Sequence, residues 1–147
     1  MRFNRTKNRP GFTLVEVLLV AAILSMMGAA AAASVRRAGA RANLRAGAAT
    51  IVRVLETARN RSLSGYGDTT HGVRVEERWI TLFDGAAPDS DDIPLPLPPG
   101  IHTDQTDTRI IFGRLTGVPD AAAVISVIGS ADSATVTVSS VGRITSP

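Results

Sequence analysis

Apolar residues follow three different rhythms along this chain. From Phe12 to Ala33 they run almost unbroken, FTLVEVLLVAAILSMMGAAAAA, with Glu16 as the single charge. Such a run predicts a helix that is apolar on all sides. Its 22 residues would reach ~33 Å, enough to cross a bilayer core of ~30 Å. Beyond it the apolar positions thin to a stripe, Leu44, Ala48, Ile51, Leu55 and Ala58, at alternating steps of four and three. That is one face of an amphipathic helix, with the arginines mostly off the stripe. No proline occurs from Phe12 to Ser64, and Gly65-Tyr66-Gly67 supplies a stop. Gly28, Gly39 and Gly47 are weak points, and any local unwinding of the apolar half would use Gly28.

From Thr70 onward the period changes to two. Gly72–Glu76, with Val73 and Val75 inward, and Trp79–Phe83 read as a hairpin turning at Glu77-Arg78. A Pro/Asp-rich loop, Asp84–Pro99, comes next. Strands are predicted near Arg109–Phe112, Ala123–Ile128 and Ala134–Val141, the last two joined by a turn over Gly129–Ser133. Trp79, alternating with Thr81 and Phe83, reads as a core or interface residue. A β body of about 80 residues would bury only ~60% of its unfolded surface, so it must dock on the helix stripe to complete a core. The expected fold class is therefore α+β, a long N-terminal helix with a C-terminal antiparallel sheet wrapped on its second half. Its parts are an apolar span at 12–33, an amphipathic stem at 34–64 and a β-rich body at 65–147.

Composition changes this picture in two ways. The absence of cysteine excludes a disulfide scaffold, a thiol nucleophile and Cys-ligated zinc or iron–sulfur sites. The chain carries 16 Lys+Arg against 13 Asp+Glu, with a net charge of +3 and a pI near 10.5, which invites a nucleic-acid reading. The charges are unevenly placed, however. Met1–Gly11 holds Arg2, Arg5, Lys7 and Arg9 and no acid, hence +4. Phe12–Arg61 holds seven arginines against Glu16 and Glu56, hence +5. Ser62–Pro147 holds five arginines against eleven acids, hence −6. The basic balance belongs to the N-terminal third.

Glu16 separates three readings of the apolar span. A cleaved secretory signal accounts for the basic start and the alanine run, but not for a carboxylate near the start of the apolar stretch. A plain membrane anchor meets the same difficulty, since an unpaired acid deep in lipid costs ~2.5–3.5 kcal/mol, and less near the interface. The third reading gives the acid a partner. Arg9-Pro-Gly-Phe-Thr-Leu-Val-Glu16-Val-Leu-Leu-Val resembles the type IV prepilin processing site. The resemblance implies cleavage by prepilin peptidase between Gly11 and Phe12, with residues 1–11 as the leader. It also implies N-methylation of Phe12, and a filament-assembly role for Glu16, paired with the new amine of a neighbouring subunit. Positive charges on the two sides of the span match in number, Arg36, Arg37, Arg41 and Arg45 against the four of the leader. The positive-inside rule therefore leaves orientation open. The resemblance implies a cytoplasmic N-terminus and a periplasmic body on the bacterial inner membrane, later in a pilus or pseudopilus.

Further segments extend the resemblance. Leu55-Glu-Thr-Ala58-Arg59, Ile93-Pro-Leu-Pro-Leu-Pro-Pro-Gly-Ile101, Ile111-Phe112 followed by Gly117, and Val136-Thr-Val-Ser-Ser-Val-Gly142-Arg143-Ile144 are similar to the GspH/FimT minor pilins. That family implies a type IV pilin-like lollipop and an assembly role near a filament tip. Two functions are open: an H-type minor pseudopilin of a type II secretion system, or a FimT-type minor pilin active in DNA uptake. The implied partners are other pilins or pseudopilins, prepilin peptidase, the inner-membrane bilayer and the secretion machinery. Nucleic acid is the less favoured partner. Many pilins carry a proline about twenty residues into the mature helix, and this chain does not. FimT-type DNA binders share a Gly-Arg-x-Arg loop, whereas Gly142-Arg143-Ile144-Thr145 lacks the second arginine.

Other candidates have plainer readings beside the sharp ones. Arg41, Arg45 and Arg143 could meet phosphates, yet a solvated face or a subunit contact is the commoner role of such charges. Asp84, Asp89, Asp91 and Asp92 crowd one loop as calcium ligands do, but lack the D-x-[DN]-x-[DN]-G register, so a solvated acidic loop is favoured. His71 and His102 have serines and aspartates nearby, but no motif such as G-x-S-x-G frames them. Neither an enzyme nor a cofactor is expected. Loss of the leader would leave 12 Lys+Arg against 13 Asp+Glu, so the processed chain has a basic stem, an acidic body and a side-chain balance of −1.

Overall fold

The computed structural model describes residues 11–130 and 132–146. Helix α1 runs Leu14–Ser64. The chain divides into two compact units, Met1–Arg36 and Arg37–Pro147. In the first unit every described residue from Gly11 to Ala32 is exposed, as a helix apolar on all sides must be when no protein covers it.

In the second unit the remainder of α1 carries the core stripe. Leu44, Ala48, Ile51, Val54, Leu55 and Ala58 are buried, the five expected positions plus Val54. The helix ends at Ser64 because Gly65 takes a left-handed conformation (φ 67°) that a side chain disfavours. A short 3-10 turn, Tyr66–Asp68, leads into the strands.

Eight strands follow: β1 His71–Val75, β2 Trp79–Asp84, β3 Pro94–Pro96, β4 His102–Thr103, β5 Thr108–Phe112, β6 Ala123–Ile128, β7 Ser133–Val138 and β8 Ile144–Thr145. They form two four-stranded antiparallel sheets, ordered β3-β2-β1-β5 and β4-β6-β7-β8. The expected antiparallel β body is thus built of two sheets. The α+β class stands, with the second half of the helix packed on the antiparallel sheets through one shared core. Val73, Val75, Ile80, Ile110 and Phe112 come from the first sheet, and Ile125, Val127, Val136 and Val138 from the second.

The β1–β2 hairpin turns where expected, with the Glu76 N–H donating to the Trp79 carbonyl at 2.9 Å. Three expectations are corrected. The Asp84–Pro99 loop contains β3, whose Leu95 lies opposite Ile80; its prolines are tolerated because the strand lies on an edge. The last long strand stops at Val138 rather than Val141, because Ser139–Arg143 closes a turn, with the Ser139 N–H on the Arg143 carbonyl at 2.9 Å. Of the two expected roles of Trp79, core or interface, only the core role is overturned: it is 45% exposed at the start of β2, on the face away from the helix.

That outer face has its own packing. Gly72 stands opposite Phe83 across β1 and β2, and the buried phenyl ring fills the place a side chain at 72 would take. A Cβ at that position would lie 2.2 Å from the ring.

Candidate processing and assembly site

Gly11, Phe12 and Thr13 precede the helix in irregular, exposed backbone. The bond between Gly11 and Phe12 is thus not locked into helical hydrogen bonding, as a peptidase substrate requires. Thr13 caps the helix, which begins at Leu14. Its hydroxyl accepts the Glu16 N–H at 3.3 Å, and its carbonyl accepts the N–H groups of Glu16 and Val17 at 3.1 and 3.2 Å. Thr13-Leu14-Val15-Glu16 therefore has the spacing of a capping box, with the acid at the third helical position. Glu16 lies in the first turn, where the positive end of the helix dipole favours a carboxylate. It is exposed and makes no ion pair among the described residues.

The helix behind it contains a stretch with mean hydropathy 2.2 and none of it buried, long and apolar enough to cross a membrane. Gly28 falls inside the helix, with open space where a side chain would stand. The leader residues before Gly11 lie outside the described residues.

Arg41 and Arg45 are exposed and one helical turn apart. Arg45 lines a cleft of about 520 Å³ with Leu44, Ala48, Ala49, Asp132, Ser133, Ala134 and Ser146, and Arg41 lines an adjoining recess that Asp132 also borders. Arg143 shares neither. Its N–H donates to the Ser139 hydroxyl at 2.9 Å and its side chain is exposed. The three arginines expected to meet a partner thus do not converge on one site.

The acidic loop does not gather into a cage. No group of three or more metal-ligating side chains comes together among the described residues. Asp92 accepts the Asp89 N–H at 2.7 Å, Asp89 accepts that of Ser90 at 2.6 Å, and Asp84 turns to Arg61 at 3.8 Å.

His71 and His102 lie in different sheets. His71 is fully buried, with Nε2 3.4 Å from Asp84 and Nδ1 3.4 Å from the Ser62 hydroxyl. A serine, a histidine and an aspartate therefore meet, but the serine is not a free nucleophile. Ser62 is itself fully buried, donates to the Phe112 carbonyl at 3.0 Å and accepts the His71 N–H at 3.0 Å. It ties the last turn of α1 to β1 and β5. Tyr66 packs at 6.0 Å from the imidazole, with the Arg61 guanidinium 5.5 Å over the phenol ring. Nothing in the spacing of 62, 71 and 84 announces this cluster, because it depends on how the helix end meets strands β1, β2 and β5.

On the outer face Arg74 and Arg109 stand directly opposite each other, a repulsive cross-strand pair. Asp107 relieves it, 2.8 Å from Arg74 and 3.2 Å from Arg109. Hydrogen bonds from Arg109 and then Arg74 hold its carboxyl below the usual range. Burial pushes Asp104 up, but hydrogen bonds from Gln105 and Ser126 together outweigh it and leave its pKa lowered.

Residues 6–32 match the family described as the prokaryotic N-terminal methylation motif. The chain carries a type IV pilin-like prepilin signal. The match covers Gly11, Phe12, Thr13 and Glu16 and most of the apolar span, and supports processing by prepilin peptidase and assembly with other pilins. No curated protein and no solved structure matches the chain.

Proposed function

We propose that this chain is an H-type minor pseudopilin of the GspH/FimT kind, working in a type II secretion system. It has no catalysis of its own. Prepilin peptidase cuts between Gly11 and Phe12 and methylates the new amine. The body faces the periplasm until the subunit joins the pseudopilus. The observation that carries this reading is the methylation motif running directly into an exposed apolar helix with Glu16 in its first turn.

The chemistry is an exchange of partners. Before cleavage the Phe12 nitrogen is an uncharged amide; afterwards it is an amine, positive at neutral pH even when monomethylated. Glu16 of one subunit and this amine of the next attract strongly in a low dielectric, and desolvation offsets much of the gain. The pair therefore sets register between subunits more than it adds stability. Glu16→Ala should still be cut at Gly11 yet enter filaments poorly, and normal incorporation would contradict the assembly role. A deletion strain should lose exoprotein secretion while transformation stays intact.

A second reading, a FimT-type minor pilin in DNA uptake, draws on the exposed Arg41, Arg45 and Arg143. It predicts salt-dependent DNA retardation by a fragment starting near Ser34. The acidic body, which repels DNA at long range, favours the secretion reading.

A further inference from the structure

We infer that the cleft between the stem and strand β3 binds a single-chain aliphatic carboxylate of medium length. Binding there does not depend on the filament reading.

The cleft holds about 420 Å³ and is lined by Thr50, Arg53, Val54, Thr57, Leu82 and Leu95, a size and an apolar lining usual for small-molecule sites. It opens where the sheet reaches beyond the helix. Leu95 stands opposite Ile80, on the same face of the sheet. Ile80 is fully buried, whereas Leu95, one strand further out, is 44% exposed. On the stem, residues 50, 53, 54 and 57 share one helical face by their spacing. That face is ~10 Å long, which an alkyl chain of about eight to ten carbons matches.

A count of hydrogen-bond donors selects the ligand. Thr50 spends its hydroxyl hydrogen on the Ala46 carbonyl at 2.9 Å, and Thr57 spends its own on the Arg53 carbonyl at 2.7 Å. The helix N–H groups in this stretch are bonded along the helix. Just past β3, Leu97 donates its N–H to the Arg78 carbonyl at 3.0 Å, so by alternation Leu95 also turns toward β2. Pro94 and Pro96 alternate to the open side and have no N–H. The donor that remains is the Arg53 guanidinium. It is exposed and makes no ion pair or hydrogen bond among the described residues, and no acid lines the cleft. The lining therefore suits one aliphatic chain ending in one anionic acceptor, which a guanidinium grips bidentately. A partner's strand would find carbonyls on this edge but no donor for its own C=O groups. A polyol would leave hydroxyls unpaired against Val54, Leu82 and Leu95, and a phospholipid brings two chains to one cleft.

Decanoic acid with a terminal diazirine is the probe, photolysed with the full-length chain in nanodiscs and mapped by mass spectrometry. The apolar span at 12–33, which meets the same probe dissolved in lipid, serves as the reference. Label on residues 50–57 and 82–95 should saturate, and excess decanoate should displace it where decanol and decyltrimethylammonium do not. Arg53→Glu should lower the cleft label about tenfold relative to the span, the scale of reversing one exposed ion pair. Arg53→Lys should keep most of it, and Arg45→Glu, on the other cleft, should change nothing. Arg53 is exposed, so its variants should keep the urea midpoint of the parent chain. Cleft label that never saturates, that decanol displaces equally, or that ignores Arg53→Glu overturns the site. A diazirine-bearing phospholipid that labels the cleft as strongly overturns the single-chain ligand.

Discussion

The two stretches of α1 follow opposite rules. From Leu14 to Ala32 apolar side chains cover every side and none is buried by protein. From Leu44 to Ala58 a single stripe is apolar, and it is buried to within 6% or less. The contrast shows what each stretch is built to meet. A stripe can be satisfied by the chain's own two sheets, whereas a helix apolar all round needs a surrounding apolar medium, a bilayer or the helices of neighbouring subunits.

Mutations sharpen this contrast. Leu55→Ala or Ile51→Ala should destabilise the body by about 2–5 kcal/mol, read as a shift in its urea midpoint. Leu19→Ala or Leu24→Ala, equal in chemistry, should leave that midpoint within about 0.5 kcal/mol. Comparable losses from both pairs would erase the distinction. Gly72→Ala should cost about 1–3 kcal/mol, because the added carbon meets the buried Phe83 ring. Ser62→Ala should cost about 1–3 kcal/mol by stranding the His71 N–H and the Phe112 carbonyl where α1 joins the sheets.

The smallest effect is electrostatic. Asp107 has a lowered pKa in the folded chain, so its contribution is present above the unfolded carboxylate value of about 4. It is lost as pH falls through the folded value. Asp107→Asn should therefore lower stability slightly at neutral pH, leave it unchanged at strongly acid pH, and so flatten the acid side of the profile. The group is exposed, so a large change there would contradict a surface role.

Much of the fold was legible because it repeats locally. The helix stripe, the Gly65 stop and the β1–β2 hairpin each follow from a period or a turn residue within a few positions. The misses are non-local or too short to carry a period. β4 and β8 have two residues each, and β3 hides behind prolines that argue against a strand. The division into two sheets depends on which distant strands pair, and the Ser62–His71–Asp84 cluster on where a helix ends against them. The methylation motif was readable because its signal is sequential: Gly11, Phe12, Thr13 and Glu16 lie within six residues of chain. The cleft beside β7 joins residue 45 to residue 133 and leaves no such trace.

The central claim is that the exposed half of α1 begins at a newly made amine. Intact-mass and N-terminal analysis of the membrane-extracted protein tests it most directly. The account predicts a chain that starts at Phe12 and carries one added methyl group. A chain that starts at Met1, or is cut within the alanine run near Ala33, would contradict it.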